Sequence, residues 1–151
     1  MQRILVGITS ETEFLRRGQL HAALILKEAP QGMILDFGCG IGRVLRFLPP
    51  ERSEGYDTSE RMRTLAREWC GRTVLASLDG KEEFYNTVFE ILVLQHCPHG
   101  EHITAMLNTL KRGGKLISLH TFNMPSPEIP LPLENEFKLE QEIVKIYKKT
   151  V

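Results

Sequence analysis

The chain has 151 residues, of which 42% are hydrophobic and 25% are charged, and its 19 basic residues balance 19 acidic ones. This length is sufficient for one domain with its own hydrophobic core, without stabilising disulfides or metal. A domain that mainly grips phosphate backbones usually carries a basic excess, so a nucleic acid is not indicated as a partner.

The first part of the chain predicts a helix, a strand and a second helix. The first helix is expected from Glu11 to about Ala29, with Pro30 closing it. The apolar segment Met33–Phe37 predicts a strand that runs into a glycine turn. Apolar residues at helical spacing then predict a helix over Ile41–Leu48.

A second strand and the most regular helix follow. Glu54–Tyr56 predicts a short strand, and Ser59 is the expected N-cap of the next helix, which Gly71 ends. One stripe of this helix is apolar and consists of Met62, Leu65, Ala66 and Trp69. Thr73–Ala76 predicts the third strand.

The rest of the chain predicts two more strands, a helix between them and a separate C-terminal segment. Val88–Leu94 is a near-continuous apolar run, as expected for a strand buried on both faces. The next helix is marked by Ile103, Met106, Leu107 and Leu110. Lys115–Phe122 predicts the fifth strand, and the proline-rich Met124–Pro132 predicts an extended loop. Phe137–Tyr147 alternates with one change of phase, which predicts either one bulged strand or a tight antiparallel pair.

This alternation predicts an α/β fold. We expect a single doubly wound, mostly parallel sheet with helices on both faces and a short antiparallel C-terminal edge. One domain is expected, in which residues 1–30 form an N-terminal helix and lid, residues 33–122 the core, and residues 123–151 a loop and edge strand. Ligands of such sheets bind at the carboxyl ends of the strands.

The cysteines and the hydropathy pattern bear on location and metal binding. Cys39, Cys70 and Cys97 form no Cys-x-x-Cys pair, so neither a zinc site nor a disulfide framework is predicted. Free thiols are typical of the reducing cytosol, so a cytoplasmic location is expected. No apolar run approaches the ~20 residues of a membrane span, and Met1–Ile8 is too short for a signal peptide.

The glycine turn after the first strand indicates the class of ligand. A dinucleotide motif that begins at Gly38 needs its third glycine at position 43, where this chain has Arg43. No Walker-type lysine motif is present either, so the turn suits a nucleoside that carries no phosphates. Asp57, at the tip of the next strand, is suited to accept two ribose hydroxyls, although it could also simply cap the helix that begins after Ser59.

These motifs resemble those of the class I S-adenosylmethionine-dependent methyltransferases. Asp36–Arg43 is similar to their first motif, Tyr56–Met62 to their second, Phe89–His96 to their fourth, and Leu110–Leu116 to the segment before their fifth strand. The order and spacing hold over residues 33–120. The resemblance implies S-adenosylmethionine as the cofactor and S-adenosylhomocysteine as the product.

The resemblance also implies a set of cofactor-binding residues. Asp36 is expected to receive the amino group, directly or through a water molecule. Asp57 is expected to accept the ribose hydroxyls, and Gln95 to lie near the sulfonium end. The complete expected set is Asp36, Gly38, Cys39, Gly40, Asp57, Thr58, Met62, Ser77, Leu78, Asp79 and Gln95. Which residue of 77–79 contacts the adenine stays open, because the family's usual Gly-Asp-Ala form is missing there.

Catalysis of methyl transfer requires a base only if the acceptor must lose a proton early. His96 and His99 follow the fourth strand, at the rim where ligands bind, and they are the candidate catalytic residues. The alternative is that His99 and His102 are solvated residues of a loop and a helix start.

The segment after the fourth strand also bears on the acceptor. It reads Gln95-His96-Cys97-Pro98 instead of the Asn/Asp-Pro-Pro-Tyr-like segment of amino-methylating enzymes, which favours a small-molecule acceptor. The chain is short for that branch, with Met1–Pro30 and Phe122–Leu133 as the expected lid elements. A large acceptor on an open rim, a homo- or hetero-oligomer that completes the pocket, and a non-catalytic or partner-activating subunit are therefore alternatives. An aminopropyl transferase is a further alternative, against which the lack of an acid-rich polyamine motif argues.

Overall fold

The protein is described by a computed structural model over residues 10–97 and 99–151, so most of the expected lid segment before α1 and Pro98 lie outside the described residues. The elements in chain order are α1 (Glu11–Glu28), β1 (Ile34–Phe37), β2 (Ser53–Tyr56), α2 (Glu60–Cys70), β3 (Val74–Leu75), β4 (Tyr85–Ile91), α3 (Val93–His96), α4 (Gly100–Thr109), β5 (Leu110–Thr121), β6 (Leu133–Leu139) and β7 (Glu142–Lys148). None of the described helices is both long and apolar enough to cross a membrane.

All seven strands form one sheet in the order β3-β2-β1-β4-β5-β7-β6. The first five are parallel, and β7 runs antiparallel to both of its neighbours, β5 and β6. The predicted fold class is therefore confirmed. Of the two alternatives for the C-terminal segment, the antiparallel pair is present, joined by a turn at Glu140–Gln141 in which Glu140 adopts a φ of 54°.

The core lies on both faces of the sheet, as alternation along β1 demonstrates. Ile34 packs in one cluster with Ile25 of α1, whereas Leu35 packs in the opposite cluster with Met106 of α4. All four residues of β1 are buried. Helices thus cover both faces, which is why β1 and β4 are buried at most of their positions.

The predicted caps of α2 are confirmed. The Ser59 hydroxyl accepts a hydrogen bond from the Met62 N–H at 3.3 Å, and Gly71 ends the helix in the left-handed conformation with a φ of 69°. Capping at both ends fixes where the chain leaves β2 and where α2 begins.

The predicted helix over Ile41–Leu48 is wrong. The chain forms turns up to Val44 and then a single 3-10 turn, Leu45–Phe47. The glycines cause this difference, since Gly42 has a φ of 86°, outside the helical region. The apolar residues of this segment are buried nonetheless, so their spacing reflects burial and not a helix.

Several strand boundaries also differ from prediction, and β4 begins three residues before the predicted Val88. β4 ends at Ile91 and not at Leu94, because Leu92 turns the chain with a φ of 62°. β5 begins earlier than expected, at Leu110, with an irregularity in its pairing to β4.

Candidate functional site

The glycine turn is folded against the tip of β2. The N–H groups of Gly38 and Cys39 both donate to the Tyr56 carbonyl, at 2.7 and 3.1 Å. The Gly40 N–H donates to Oδ2 of Asp57 at 2.9 Å. The two strand tips that carry the first and second motifs are therefore held together by direct hydrogen bonds.

The glycines of this turn have different roles. A Cβ at Gly38 would lie 2.6 Å from Cγ2 of Val93, so this position is needed for close packing. A Cβ at Gly40 would meet no atom of the described residues within 4 Å, although Gly40 has a φ of 57°. Gly40 thus leaves open space beside the Asp57 carboxylate, which is a suitable cradle for a ligand.

Asp57 combines the two roles considered from the sequence. Its Oδ1 accepts from the Ser59 N–H at 2.9 Å and supports the start of α2, while Oδ2 holds Gly40. A carboxylate offers about four acceptor positions, and these bonds use two. Each oxygen of Asp57 therefore keeps a free lone pair for a hydroxyl of a ligand.

A cavity of about 280 Å³ opens at the carboxyl ends of β1, β2 and β4. Its wall contains the predicted site residues Gly38, Asp57, Thr58 and His96. It also contains residues that were not predicted, namely Phe37, Tyr56, Leu92, Val93, Cys97 and His102. The ring centroids of Phe37 and Tyr56 lie 5.0 Å apart, and His102 meets Phe37 edge-on at 6.0 Å. Aromatic residues at successive strand ends are the sequence signal that could have identified this wall.

The three histidines after β4 are placed differently. His96 lines the cavity and is exposed, with its Nε2 3.2 Å from Nε2 of Gln95. His99 precedes α4 at the surface, outside the cavity wall, and its ring centroid is 5.8 Å from that of His102. His102, for which the sequence suggested a solvated position, is half-buried and lines the cavity.

Asp36 lies in the buried strand β1, below the glycine turn. Only 4% of the residue is exposed, and none of the described residues forms a hydrogen bond with its carboxyl group. Burial raises the pKa of Asp36 to about 7, and the nearby Asp57 adds to this effect, whereas Arg43 opposes it. A buried acid without a partner is suited to a cationic or hydrogen-bond-donating group of a ligand.

Glu90 is a buried acid that was not predicted as a site residue. Its Oε2 accepts from the N–H groups of Val93 and Leu94, at 3.0 and 3.1 Å, and Ser118 donates to its Oε1. Burial raises the pKa of Glu90 to about 7, against the effect of these hydrogen bonds. Glu90 thereby fixes α3, which carries part of the cavity wall. The sequence signal that could have identified Glu90 is a charged residue inside an apolar run.

Three other predicted residues contact neighbouring elements outside the cavity wall. Cys39 is buried, its thiol lies 2.8 Å from where a Cβ on Gly55 would be, and burial raises the pKa of the thiol. Met62 packs against the cluster of Phe14 and Ile41. Gln95 accepts from the Thr121 N–H at 2.9 Å and so faces β5.

The expected adenine-reading segment is a tight turn after β3. The Asp79 N–H donates to Oγ of Ser77 at 3.1 Å, and both residues are exposed. Leu78 is half-buried and packs against the core cluster that contains Phe37. These three residues lie outside the cavity wall, and their role in binding adenine stays a prediction.

A buried polar cluster anchors α1 at the same rim. Arg17 contacts Glu142 of β7, and His21 Nε2 lies 3.3 Å from the same carboxylate oxygen. Arg43 of the glycine turn lies with its Nη2 3.1 Å from His21 Nδ1. Because arginine can only donate, Nδ1 accepts and Nε2 carries the proton. Burial and the neighbouring arginines lower the pKa of His21 to about 3, so α1 is joined to the turn through a neutral histidine.

Comparison with known proteins identifies relatives of this architecture. A sequence profile described as a methyltransferase domain matches residues 35–118. A protein from Pyrococcus horikoshii superposes with a TM-score of 0.75 at 18% identity, over 95% of this chain and 94% of that chain. A SAM-dependent methyltransferase from Aquifex aeolicus superposes with a TM-score of 0.68 at 15% identity, over 95% of this chain and 100% of that chain.

A third structure shares the fold. Magnesium protoporphyrin IX methyltransferase from Synechocystis, solved with bound SAM, superposes with a TM-score of 0.63 at 19% identity, over 95% of this chain and 86% of that chain. At these identities the structures establish the fold. No curated protein matches the chain.

Proposed function

This chain belongs to the methyltransferase domain family, and from that premise we propose that it transfers a methyl group to a small-molecule acceptor. Its cofactor is S-adenosylmethionine. The observation that carries the proposal is the arrangement of Asp57 beside the open space at Gly40. A carboxylate with free lone pairs next to an uncrowded backbone is what a ribose requires.

The residues at the rim fit this cofactor. Asp57 would accept the two ribose hydroxyls, in charge-assisted hydrogen bonds. Gly38 and Gly40 would let the backbone approach the methionine part, and the unpartnered Asp36 would receive its amino group. The apolar wall that includes Phe37 suits the adenosyl half, since small-molecule pockets are mostly apolar with few polar groups.

When bound, S-adenosylmethionine supplies a methyl group on a positively charged sulfur that a nucleophile can displace in line. The chain's own contribution is to align the reactants and exclude water, and it needs a base only for an acceptor that must lose a proton. His96 is our candidate for that base or for an orienting group, since it lines the cavity. His99 stays a weaker candidate, because its ring is outside the cavity wall.

The acceptor is proposed to be a small molecule that binds beyond the cofactor, near the end of β5. The absence of an Asn/Asp-Pro-Pro-Tyr-like segment at Gln95–Pro98 supports this choice over an amide or a nucleobase. The proline-rich loop after Phe122 stays our candidate for one lid element. A cytoplasmic location is part of the proposal, and the three free cysteines support it.

The second candidate is a cofactor-binding or partner-activating subunit without chemistry of its own. Calorimetry with S-adenosylmethionine and S-adenosylhomocysteine tests the binding that both candidates require. Incubation with cofactor labelled in the methyl group and a small-molecule extract then separates them. A labelled product supports the enzyme, binding without product supports the subunit, and no binding contradicts both.

Replacement of Gly40 tests whether the turn faces the cofactor. We expect Gly40→Ala to weaken cofactor binding about tenfold or more, because the new methyl group would occupy the space of the ligand. Gly71→Ala is the matched control. It has a similar positive φ and equally open surroundings at the end of α2, so its conformational strain of about 1 kcal/mol is similar. Calorimetry should show the loss only in the first variant, and equal affinity in both would remove Gly40 from the binding site.

A further inference from the structure

The outer edge of the sheet is a surface that the proposed function does not use. β6 is the last strand, and none of the described strands pairs with its outer side. Five of its seven residues are exposed, and Phe137 and Leu139 are half-buried. An open strand edge presents unpaired N–H and C=O groups, which are a template for a strand of another molecule.

The hairpin determines which backbone groups of β6 point outward. Leu139 is paired with Glu142 across the two-residue turn, so its N–H and C=O face β7. Alternation along the strand turns the N–H and C=O of Phe137 to β7 as well. Glu136 and Lys138 therefore direct their N–H and C=O away from the sheet.

Three symmetric registers would bring these outward groups opposite each other in a second copy. A two-fold axis at Glu136 places the Glu136 residues of the two copies opposite each other. A two-fold axis at Lys138 does the same for the two Lys138 residues. An axis at Phe137 sets Glu136 opposite Lys138 twice. Opposite charges on directly facing residues stabilise strand pairs, whereas like charges destabilise them, so the chemistry of the edge favours the register at Phe137.

The neighbouring charges are compatible with this register. It brings Glu134 of one copy toward Glu140 of the other. Glu140 already accepts from Arg16, with Oε1 2.8 Å from Nη1, so its charge is balanced within its own chain. Lys138 has its Nζ 4.9 Å from the Phe122 ring, in a contact that leaves the ammonium exposed to a partner.

Glu136 has one long ion pair within its own chain. Its Oε1 lies 3.6 Å from Nζ of Lys145, but 49% of the Glu136 side chain is exposed, which leaves the carboxylate open to Lys138 of a second copy.

An apolar groove lies beside the strand, on the face that α1 covers. Its volume is about 480 Å³. Its lining consists of Leu20, Ala23, Leu24, Lys27, Glu28, Asn135, Phe137 and Leu139. In the register at Phe137 the Phe137 residues of the two copies form a non-hydrogen-bonded pair, in which side chains lie close together. The apolar lining of the groove in one copy is then continuous with that in the other.

We propose that β6 pairs with β6 of a second copy of this chain, antiparallel and about a two-fold axis at Phe137. The pairing joins two seven-stranded sheets into one continuous sheet. The interface is isologous, so each Glu136 meets a Lys138 of the other copy. The cavity at the carboxyl ends of β1, β2 and β4 has none of the residues of β6 in its wall, so the test of the dimer does not depend on the proposed methyltransferase activity.

Complementary charge reversals test this dimer by sedimentation velocity across about 1–100 µM, the range of a modest interface. The wild-type protein should sediment as a dimer at the upper end. Lys138→Glu alone sets glutamates against glutamates, and Glu136→Lys alone sets lysines against lysines. Each variant should therefore be a monomer in a range where the wild type is a dimer, with a dissociation constant at least about tenfold higher.

Mixing the two variants provides the decisive result. Every pair across a heterodimer of Lys138→Glu with Glu136→Lys is again glutamate with lysine, so the mixture should dimerise. Lys111→Glu is the matched control, since it reverses an exposed lysine at the start of β5 and should leave the wild-type dimer intact. The proposal is overturned by a wild-type monomer at every concentration, by single variants that still dimerise, or by a mixture that stays monomeric.

Discussion

Asp57→Ala should weaken the binding of S-adenosylmethionine by about 1.5–3 kcal/mol, or about 10- to 150-fold. The physical reason is the loss of charge-assisted hydrogen bonds to the ribose hydroxyls. The same substitution removes the acceptors for the N–H groups of Gly40 and Ser59, so it also reshapes the turn that forms the cradle. Isothermal titration with S-adenosylmethionine and S-adenosylhomocysteine measures the loss, which should be similar for both ligands because both carry the ribose.

Two control variants separate binding from folding in this experiment. Ser59→Ala removes the N-cap of α2 and should cost about 1 kcal/mol of stability, with little effect on affinity. Asp57→Asn keeps one carbonyl oxygen and should have an intermediate affinity. If Asp57→Ala bound the cofactor as tightly as the wild type, the assignment of the ribose to this residue would be wrong.

Asp36→Asn should stabilise the cofactor-free protein at high pH and weaken its binding of the cofactor. Burial raises the pKa of Asp36 to about 7 in the folded state, above its ordinary value of 3.8. The folded state therefore holds a proton that the unfolded state releases, and stability falls as pH rises from about 4 through 7. Denaturant unfolding measures the free energy of unfolding of the variant and of the wild type. The variant's value minus the wild-type value should be about 2–3 kcal/mol larger at about pH 8 than at about pH 5.

The affinity of Asp36→Asn should change in the opposite direction to its stability. A cationic amino group of the cofactor favours the ionised carboxylate, so wild-type affinity should rise with pH through about 7, and the variant should lose this rise. Burial also raises the pKa of Glu90 to about 7, so Glu90→Gln is needed to separate the effect of this second buried acid from that of Asp36. Asp79→Asn makes the matched change at an exposed turn, and this variant should keep the wild-type dependence of stability on pH. A variant of Asp36 that kept the wild-type pH dependence of affinity would contradict the proposed contact.

The fold could be predicted from the sequence because its signals are local. Ser59 and Gly71 mark the ends of α2 through caps that involve only neighbouring residues. Apolar strand segments alternate with helical segments along the chain, and this alternation predicts a parallel sheet that helices cover on both faces. The exception was Ile41–Leu48, where apolar spacing predicted a helix but the positive φ of Gly42 prevents one.

The candidate site could be predicted only in part. Asp57 and Gly38 were identified by their motifs, and both line the cavity. His102 was not identified, because its position depends on how α4 packs beside Phe37 and not on its own sequence context. Glu90 was also missed, since a side chain that caps α3 from inside a strand is specified by three-dimensional contacts.

The sequence by itself determined the alternation of strands and helices outside Ile41–Leu48, the glycine turn after β1 and the acid at the tip of β2. These depend on backbone conformation and on polarity over a few residues. Only the tertiary structure decided that Asp57 holds Gly40 and that Asp36 is buried with no hydrogen-bond partner among residues 10–97 and 99–151. It also decided that β7 lies between β5 and β6, which leaves β6 as the last of the described strands of the sheet. Burial, pKa and strand partners arise from contacts between residues distant in the chain, and the local pattern of residues does not encode those contacts.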